Sequence, residues 1–102
     1  MTAEFAVALP AIALVLAACL AAVQLVAVQV RLTDAAADAA RALGRGEEAG
    51  VARSIAERVA GPVGLESWAD GEFVCARLSA SGGGLFAGIE LAADSCALSG
   101  GR

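Results

Sequence analysis

The stretch 4-EFAVALPAIALVLAACLAAVQLVAVQV-30 decides the architecture of this chain of 102 residues. From Phe5 to Val30 it contains no charged residue, and only Glu4 and the N-terminal amine carry charge before it. A helix of about 26 residues is ~39 Å long, which exceeds the ~30 Å hydrocarbon core of a bilayer. The run therefore predicts a membrane-spanning helix over residues 1–30. Residues 31–102 remain for one small polar module.

Composition excludes most chemistry from that module. The net charge is −4, which disfavours a nucleic-acid partner. Histidine is absent, so no Ser-His-Asp or Cys-His site can form, and metal ligands reduce to scattered carboxylates and thiols. Gly82-Gly83-Gly84 is not followed by the Lys-Ser/Thr of a phosphate-binding loop. We therefore predict no catalytic, cofactor or metal site, no small-molecule substrate and no enzyme.

Two helices are predicted before the strands begin. Helix-forming residues continue from the apolar run through residues 31–43, so one helix extends from Thr2 to Leu43 and is roughly 60 Å long. Its predicted apolar face is formed by Leu32, Ala36, Ala39 and Leu43. Residues 47–60 predict a second helix, with an apolar stripe formed by Val51, Ile55 and Val59.

Residues 63–98 predict short strands and complete an α+β fold with a small C-terminal hairpin or meander. Asp70-Gly71 is a two-residue turn signal between the strands 65–69 and 72–80. Residues 89–98 fit a strand or a short helix, and we favour the strand because of the register that it allows.

That register brings three complementary pairs together. If Cys75 faces Cys96, then Arg77 faces Asp94 and Phe73 faces Leu98, all on one face of the sheet. Leu78 and Val74 then lie opposite Ala93 and Ala97 on the other face. The sequence thus allows a Cys75–Cys96 disulfide, which would persist if the module is exported.

The N-terminal run admits three interpretations. The first is a plain membrane anchor in which Glu4 is incidental. The second is a lipidated binding module, because Leu16-Ala17-Ala18-Cys19 matches a lipobox, with Cys19 as the acylated residue. Two features oppose the lipobox: a signal peptide has a positive leading region, and the apolar run continues for eleven residues beyond Cys19.

The third interpretation is a pilin-type subunit, whose apolar helix first lies in the membrane and later packs against its copies. A carboxylate near the start of that helix would be costly in a dry bundle unless it is paired, and a neighbouring subunit's N-terminal amine can supply the pair. Pro10 removes one backbone donor and loosens the helix at that point, although proline is also tolerated in membrane helices without a functional reason.

The segment from Thr2 to Ala11, with its Glu-Phe-Ala-x-x-Leu-Pro core, resembles the TadE-like minor pilins and pseudopilins of tight-adherence (Tad/Flp) pilus systems. The resemblance covers about residues 2–45 and is closest to the type found in high-GC Gram-positive bacteria. It implies a structural role in assembling a surface type IV pilus used in adhesion. In such proteins Glu4, Phe5 and Pro10 would serve prepilin recognition and subunit docking.

The resemblance also implies partners and a topology. The partners would be membrane lipid, other pilin subunits, the Tad secretion platform, and a prepilin peptidase that removes a short basic leader ending in Gly. No such leader precedes Met1, so we expect the reading frame to extend upstream through one. Without it, Arg31, Arg41 and Arg45 would favour a cytoplasmic module. With it, the chain is a single-pass membrane protein whose module lies outside the cytoplasm.

Overall fold

Two α-helices and a three-stranded antiparallel sheet form the computed structural model, which describes residues 2–100 apart from the side chain of Leu85. The elements are α1 (Thr2–Gly44), α2 (Ala49–Ala60), β1 (Gly64–Asp70), β2 (Phe73–Ser81) and β3 (Glu90–Leu98). A short 3-10 turn, Gly84–Phe86, lies between β2 and β3. The predicted α+β class is confirmed, and residues 90–98 form a strand and not a helix.

Helix α1 dominates the shape of the molecule. It is a single helix of 43 residues that continues through Pro10, and the protein is 69 Å long but only 20 Å and 18 Å across. The predicted continuous helix is confirmed, and it ends at Gly44, one residue beyond the predicted end.

The core lies around the second half of α1 and is made largely of alanine. The second half of α1 packs against β2 and β3 on one side and against α2 on the other. The buried core residues are Leu32, Ala35, Ala36, Ala39, Ala40, Ala42, Ala52, Ala56, Ala76, Leu78 and Ala93. The buried surface of α1 is wider than the predicted apolar face because both the sheet and α2 pack against the helix. Small side chains let both elements approach the helix axis closely.

The predicted apolar stripe of α2 is wrong. Ala52 and Ala56 face the core and are fully buried, whereas Val51 and Val59 are exposed and only Ile55 is half-buried. The opposing surface of α1 is itself lined by alanine, so a close helix–helix contact is made by the small residues of α2. The larger side chains lie on its flank.

The strand pairing follows the predicted register. Cys75 lies opposite Cys96, Arg77 opposite Asp94 and Phe73 opposite Leu98. Leu78 and Val74 pair with Ala93 and Ala97 on the opposite face, as expected.

The predicted turn between β1 and β2 is wrong by one residue. Asp70 pairs with Phe73, so the two loop residues are Gly71 and Glu72 and not Asp70 and Gly71. Gly71 has a φ of 62°, and a turn with positive φ at its first loop position requires glycine there. Placing Gly71 first shifts the turn towards the C-terminus.

Gly44 is required where α1 meets the end of β3. A Cβ atom at Gly44 would lie 2.7 Å from the backbone oxygen of Leu98. The Gly44 carbonyl also accepts a hydrogen bond from the N–H of Gly100, at 2.9 Å. The last turn of α1 therefore touches the strand backbone directly.

We expect Gly44→Ala to lower the free energy of unfolding by about 1–3 kcal/mol, because the added methyl group displaces the end of β3. The matched variant Gly50→Ala adds the same atom in helix α2, where nothing lies within 4 Å. It should stabilise the protein by about 0.5 kcal/mol through helix propensity. Urea unfolding in detergent micelles, followed by Trp68 fluorescence, measures both, and equal effects of the two variants would contradict the close contact at Gly44.

Candidate functional site

The first half of α1 is exposed on every side. All residues from Thr2 to Leu20 are exposed, including Phe5 at 65% and Leu14 at 72%. This helix is long and apolar enough to cross a membrane. It therefore presents a continuous apolar cylinder that no other element of the described chain covers.

Glu4 and Pro10 lie at the start of this cylinder. Glu4 is exposed in the first turn, where a negative charge interacts favourably with the helix dipole. Because Pro10 has no N–H, the carbonyl of Ala6 lacks its usual helical partner. Phe5 is next to Glu4 in sequence. The three predicted docking residues therefore occupy the first two to three turns of α1, far from the module.

From Ala21 onward, α1 has two different sides. Ala21, Leu25 and Val28 are half-buried on the side that faces the module, and Gln29 is half-buried with them. On the opposite side Val23, Val26 and Val30 are 65%, 62% and 53% exposed. These three valines, which we call the valine stripe, recur at spacings of three and four and so form one line along the helix. Apolar surface thus continues beside the module, where its own chain leaves it uncovered.

Gln29 ties α1 to the outer edge of the sheet. Its Nε2 donates a hydrogen bond to the carbonyl of Ala92, at 3.1 Å. Cys75 and Cys96 lie opposite each other with Cα atoms 4.0 Å apart, a spacing of strand pairs that share no backbone hydrogen bonds. Because such pairs alternate along a strand, Ala92 also belongs to that class, and its carbonyl points to the free edge of β3. Gln29 therefore satisfies an edge carbonyl and holds the sheet against the helix.

The outer face of the sheet carries the disulfide and a charged pair. Cys75 and Cys96 are joined by a disulfide, and Cys75 is only 1% exposed although it lies on this face. Arg77 makes two hydrogen bonds to the Asp94 carboxylate, at 2.7 Å and 3.0 Å. The Arg77 guanidinium also lies 5.8 Å from the centre of the Trp68 ring, within the range of a cation–π interaction.

The charged pair on this face joins β2 to β3. Hydrogen bonds from Arg77 hold the pKa of Asp94 below its usual value. Asp94 therefore stays ionised and cannot act as a proton donor near neutral pH. Among residues 2–100 no group of three or more acidic, cysteine or histidine side chains is placed to hold a metal ion.

The predicted site residues thus fall into two separate groups. Cys75 and Cys96 come together on the sheet, whereas Glu4, Phe5 and Pro10 stay at the opposite end of α1. Cys19 is a free, exposed cysteine within the apolar cylinder. Sequence reasoning missed Gln29 and the valine stripe. The available signal was that Gln24 and Gln29 are the only polar side chains in the run from Phe5 to Val30, apart from the thiol of Cys19.

The chain is similar to a mycobacterial protein. Over 80 aligned residues the chain is 46% identical to a protein of Mycobacterium tuberculosis (strain ATCC 25618 / H37Rv) that is named apoptosis inhibitor Rv3655c. The alignment covers 76% of this chain and 62% of the mycobacterial protein, so the chain spans less than two thirds of its relative. No protein-family profile matches the chain. No solved structure matches it.

We expect loss of the disulfide to destabilise the module. The two cysteines are 21 residues apart, and opening a loop of that length lowers the free energy of unfolding by about 3 kcal/mol. The Cys75→Ala/Cys96→Ala double variant should show this loss in urea unfolding in micelles. Cys19→Ala is the control and should change stability by less than about 0.5 kcal/mol, because Cys19 is a free, exposed cysteine outside the module. An unchanged unfolding midpoint in the double variant would contradict a structural disulfide.

Proposed function

We propose that this chain is a structural or assembly component of a tight-adherence type IV pilus, a minor pilin or pseudopilin whose α1 anchors in the membrane and packs into the filament or its base. It works by packing helices and not by catalysis. Its partners are membrane lipid, other pilin subunits and the secretion platform that assembles them. The Glu-Phe-Ala-x-x-Leu-Pro segment and the exposed helix that carries it support this proposal.

The valine stripe is the observation that carries the proposal. Residues 2–20 alone make a helix about 28 Å long, which already matches the ~30 Å hydrocarbon core. A plain anchor needs no further apolar surface. Val23, Val26 and Val30 nevertheless stay exposed beside the module. When a second helix covers surface of this kind, the contact is stabilised by about 25 cal/mol for each Å² removed from water.

Glu4 would fix how neighbouring helices are aligned along their axes. When apolar helices bundle away from water, an unpaired carboxylate costs several kcal/mol. The N-terminal amine of a neighbouring subunit offers the opposite charge. Removal of a leader would place that amine only a few residues before the neighbour's own Glu4. Because that amine lies at one end of the helix only, the pair selects one axial offset between neighbours and rejects the others.

The disulfide supports export of the module. Disulfides persist in oxidising compartments and are rare in the cytoplasm, and Cys75–Cys96 joins two strands of the module. It supports a single-pass orientation with the module outside the cytoplasm. A basic leader upstream of Met1, removed by a prepilin peptidase, would direct this orientation.

A lipidated binding module without a filament role is the second candidate. One observation favours it: Cys19 is exposed and follows Leu16-Ala17-Ala18, the lipobox pattern. This candidate requires cleavage before Cys19, which would remove Glu4 and most of the exposed cylinder. Mass spectrometry of the native protein separates the two, since an acylated N-terminal Cys19 excludes the pilin proposal and an intact segment through Glu4 excludes lipidation there.

We expect Glu4→Ala to leave membrane insertion unchanged but to abolish assembly. Removing one partner of a charge pair buried in a bundle costs about 3–5 kcal/mol for each subunit contact. Glu4→Gln keeps the shape and removes the charge, so it should fail as well. The measurement is the number of pili on cells, together with the membrane fraction of the protein.

Glu48→Ala is the matched control for that experiment. Glu48 precedes α2, is exposed and makes no capping hydrogen bond with its side chain. Cells with this variant should assemble pili at the normal level. Normal pili in the Glu4→Ala strain would instead support a plain anchor.

A further inference from the structure

We propose that the loop between β2 and β3, residues 82–89, lies in the headgroup region of the membrane and contacts lipid beside α1. This inference rests on the membrane anchoring in the proposed function, but not on the filament. It assigns the module a second point of contact with the bilayer, which fixes its orientation relative to the surface.

The loop lies in the longest stretch of the module, residues 31–102, that has no charged residue. No charged residue occurs between Arg77 and Glu90, although charged residues make up 18% of the sequence. Ile89 is 44% exposed and Phe86 is half-buried. An uncharged loop with exposed apolar side chains pays little desolvation free energy when it enters the interface.

The position of the loop matches the point where α1 leaves the hydrocarbon. A cavity of about 160 Å³ lies between the loop and the helix. It is lined by Ala21, Gln24 and Val28 of α1 and by Gly82, Gly83, Gly84 and Phe86 of the loop. The fully exposed part of α1 ends at Leu20, after a length of about 28 Å that equals the hydrocarbon thickness. A loop that begins its contact at Ala21 therefore lies at the level of the lipid headgroups.

Hydrogen bonds within the loop satisfy part of its backbone. The Gly82 N–H donates to the Ile89 carbonyl at 2.9 Å, which closes the loop, and the Ile89 N–H donates to the Phe86 carbonyl at 2.9 Å. Two further bonds run from Phe86 to Gly83 and from Ala87 to Gly84, at 2.8 Å and 3.2 Å. Four backbone N–H groups of the loop are thus paired within it. The headgroup region, unlike the hydrocarbon, still offers water and polar lipid groups to the others.

Gly82 maintains this closed shape. A Cβ atom there would lie 2.6 Å from the Cβ of Phe86 and 2.8 Å from its carbonyl oxygen. Any other residue at this position would push the loop open. The compact arrangement beside α1 therefore depends on glycine at position 82.

Depth-dependent fluorescence quenching tests the inference. The full chain, in a Trp68→Phe background, receives a single tryptophan by Ile89→Trp in the loop. The protein is reconstituted in phosphatidylcholine–phosphatidylglycerol vesicles whose acyl chains are brominated near the carbonyl end. Leu98→Trp is the matched control, because Leu98 is also exposed and lies at the other end of β3, about 26 Å along the strand. Leu14→Trp reports whether α1 is inserted.

We expect the Ile89→Trp protein to lose about half of its emission in brominated vesicles and to shift to the blue, because lipid surrounds the loop. The Leu98→Trp protein should lose almost none. Ala87→Trp, at a second exposed position in the loop, should repeat the result. An intact Cys75–Cys96 disulfide in each variant shows that the module is folded.

Three results would overturn the inference. If the Leu14→Trp protein is quenched but neither loop variant is, the membrane anchor stands and the loop lies in water. If the loop variants are shielded from aqueous acrylamide yet unquenched by lipid, a second copy of the chain covers the loop. If the Leu14→Trp protein is unquenched, α1 is outside the bilayer, and the anchoring on which the inference rests fails as well.

Discussion

The structure depends on α1 having two different environments along its length, one outside the chain and one inside the module. Over residues 2–20 every side of α1 is left for an environment outside the chain. Over residues 32–44 the same helix is the central element of the module, and six of its side chains there are fully buried. Because the helix is continuous, the exposed first half and the alanine contacts of the second half belong to one element. The Gln29–Ala92 hydrogen bond adds a polar contact at the boundary.

The alanine core explains why the module needs additional covalent and backbone support. Alanine buries little apolar area, so each contact contributes less than a leucine contact would. The close approach at Gly44 and the Cys75–Cys96 disulfide compensate for this on the two sides of the sheet. A narrow module of this kind also leaves one side of α1 uncovered beside it. The exposure of the valine stripe therefore follows from packing a small sheet and one short helix against a much longer helix, whereas its apolar character does not.

The features that depend on local chemistry could be predicted from the sequence. The long helix follows from the uninterrupted apolar run and the helix formers behind it. The sheet register follows from three complementary pairs that one alignment brings together, at Cys75, Arg77 and Phe73. The turn was misplaced because Asp70-Gly71 is a strong signal in isolation, whereas the φ of Gly71 places the glycine first.

The features that depend on how the helices and the sheet pack against each other could not be predicted from the sequence. Val51, Ile55 and Val59 form the more hydrophobic stripe of α2, yet the alanine surface of α1 selects Ala52 and Ala56. The contacts of Ala21 and Gln29 required the position of the sheet along α1, which no local pattern contains. The roles of Glu4, Phe5 and Pro10 remain predictions, because their partners would belong to other molecules.

An accessibility scan along α1 tests most directly the claim that this helix changes environment near residue 20. Single nitroxide labels are placed at successive positions from 13 to 30 in the Cys19→Ala protein, with the disulfide intact and the chain in vesicles. Oxygen and a water-soluble nickel complex then report lipid and water contact at each position. The account predicts uniform oxygen access through position 20. Beyond that position, the accessibility of the labels should vary with a helical period and reach its maxima at Val23, Val26 and Val30. A helical period that begins well before position 20, or its absence beyond that position, would contradict the account.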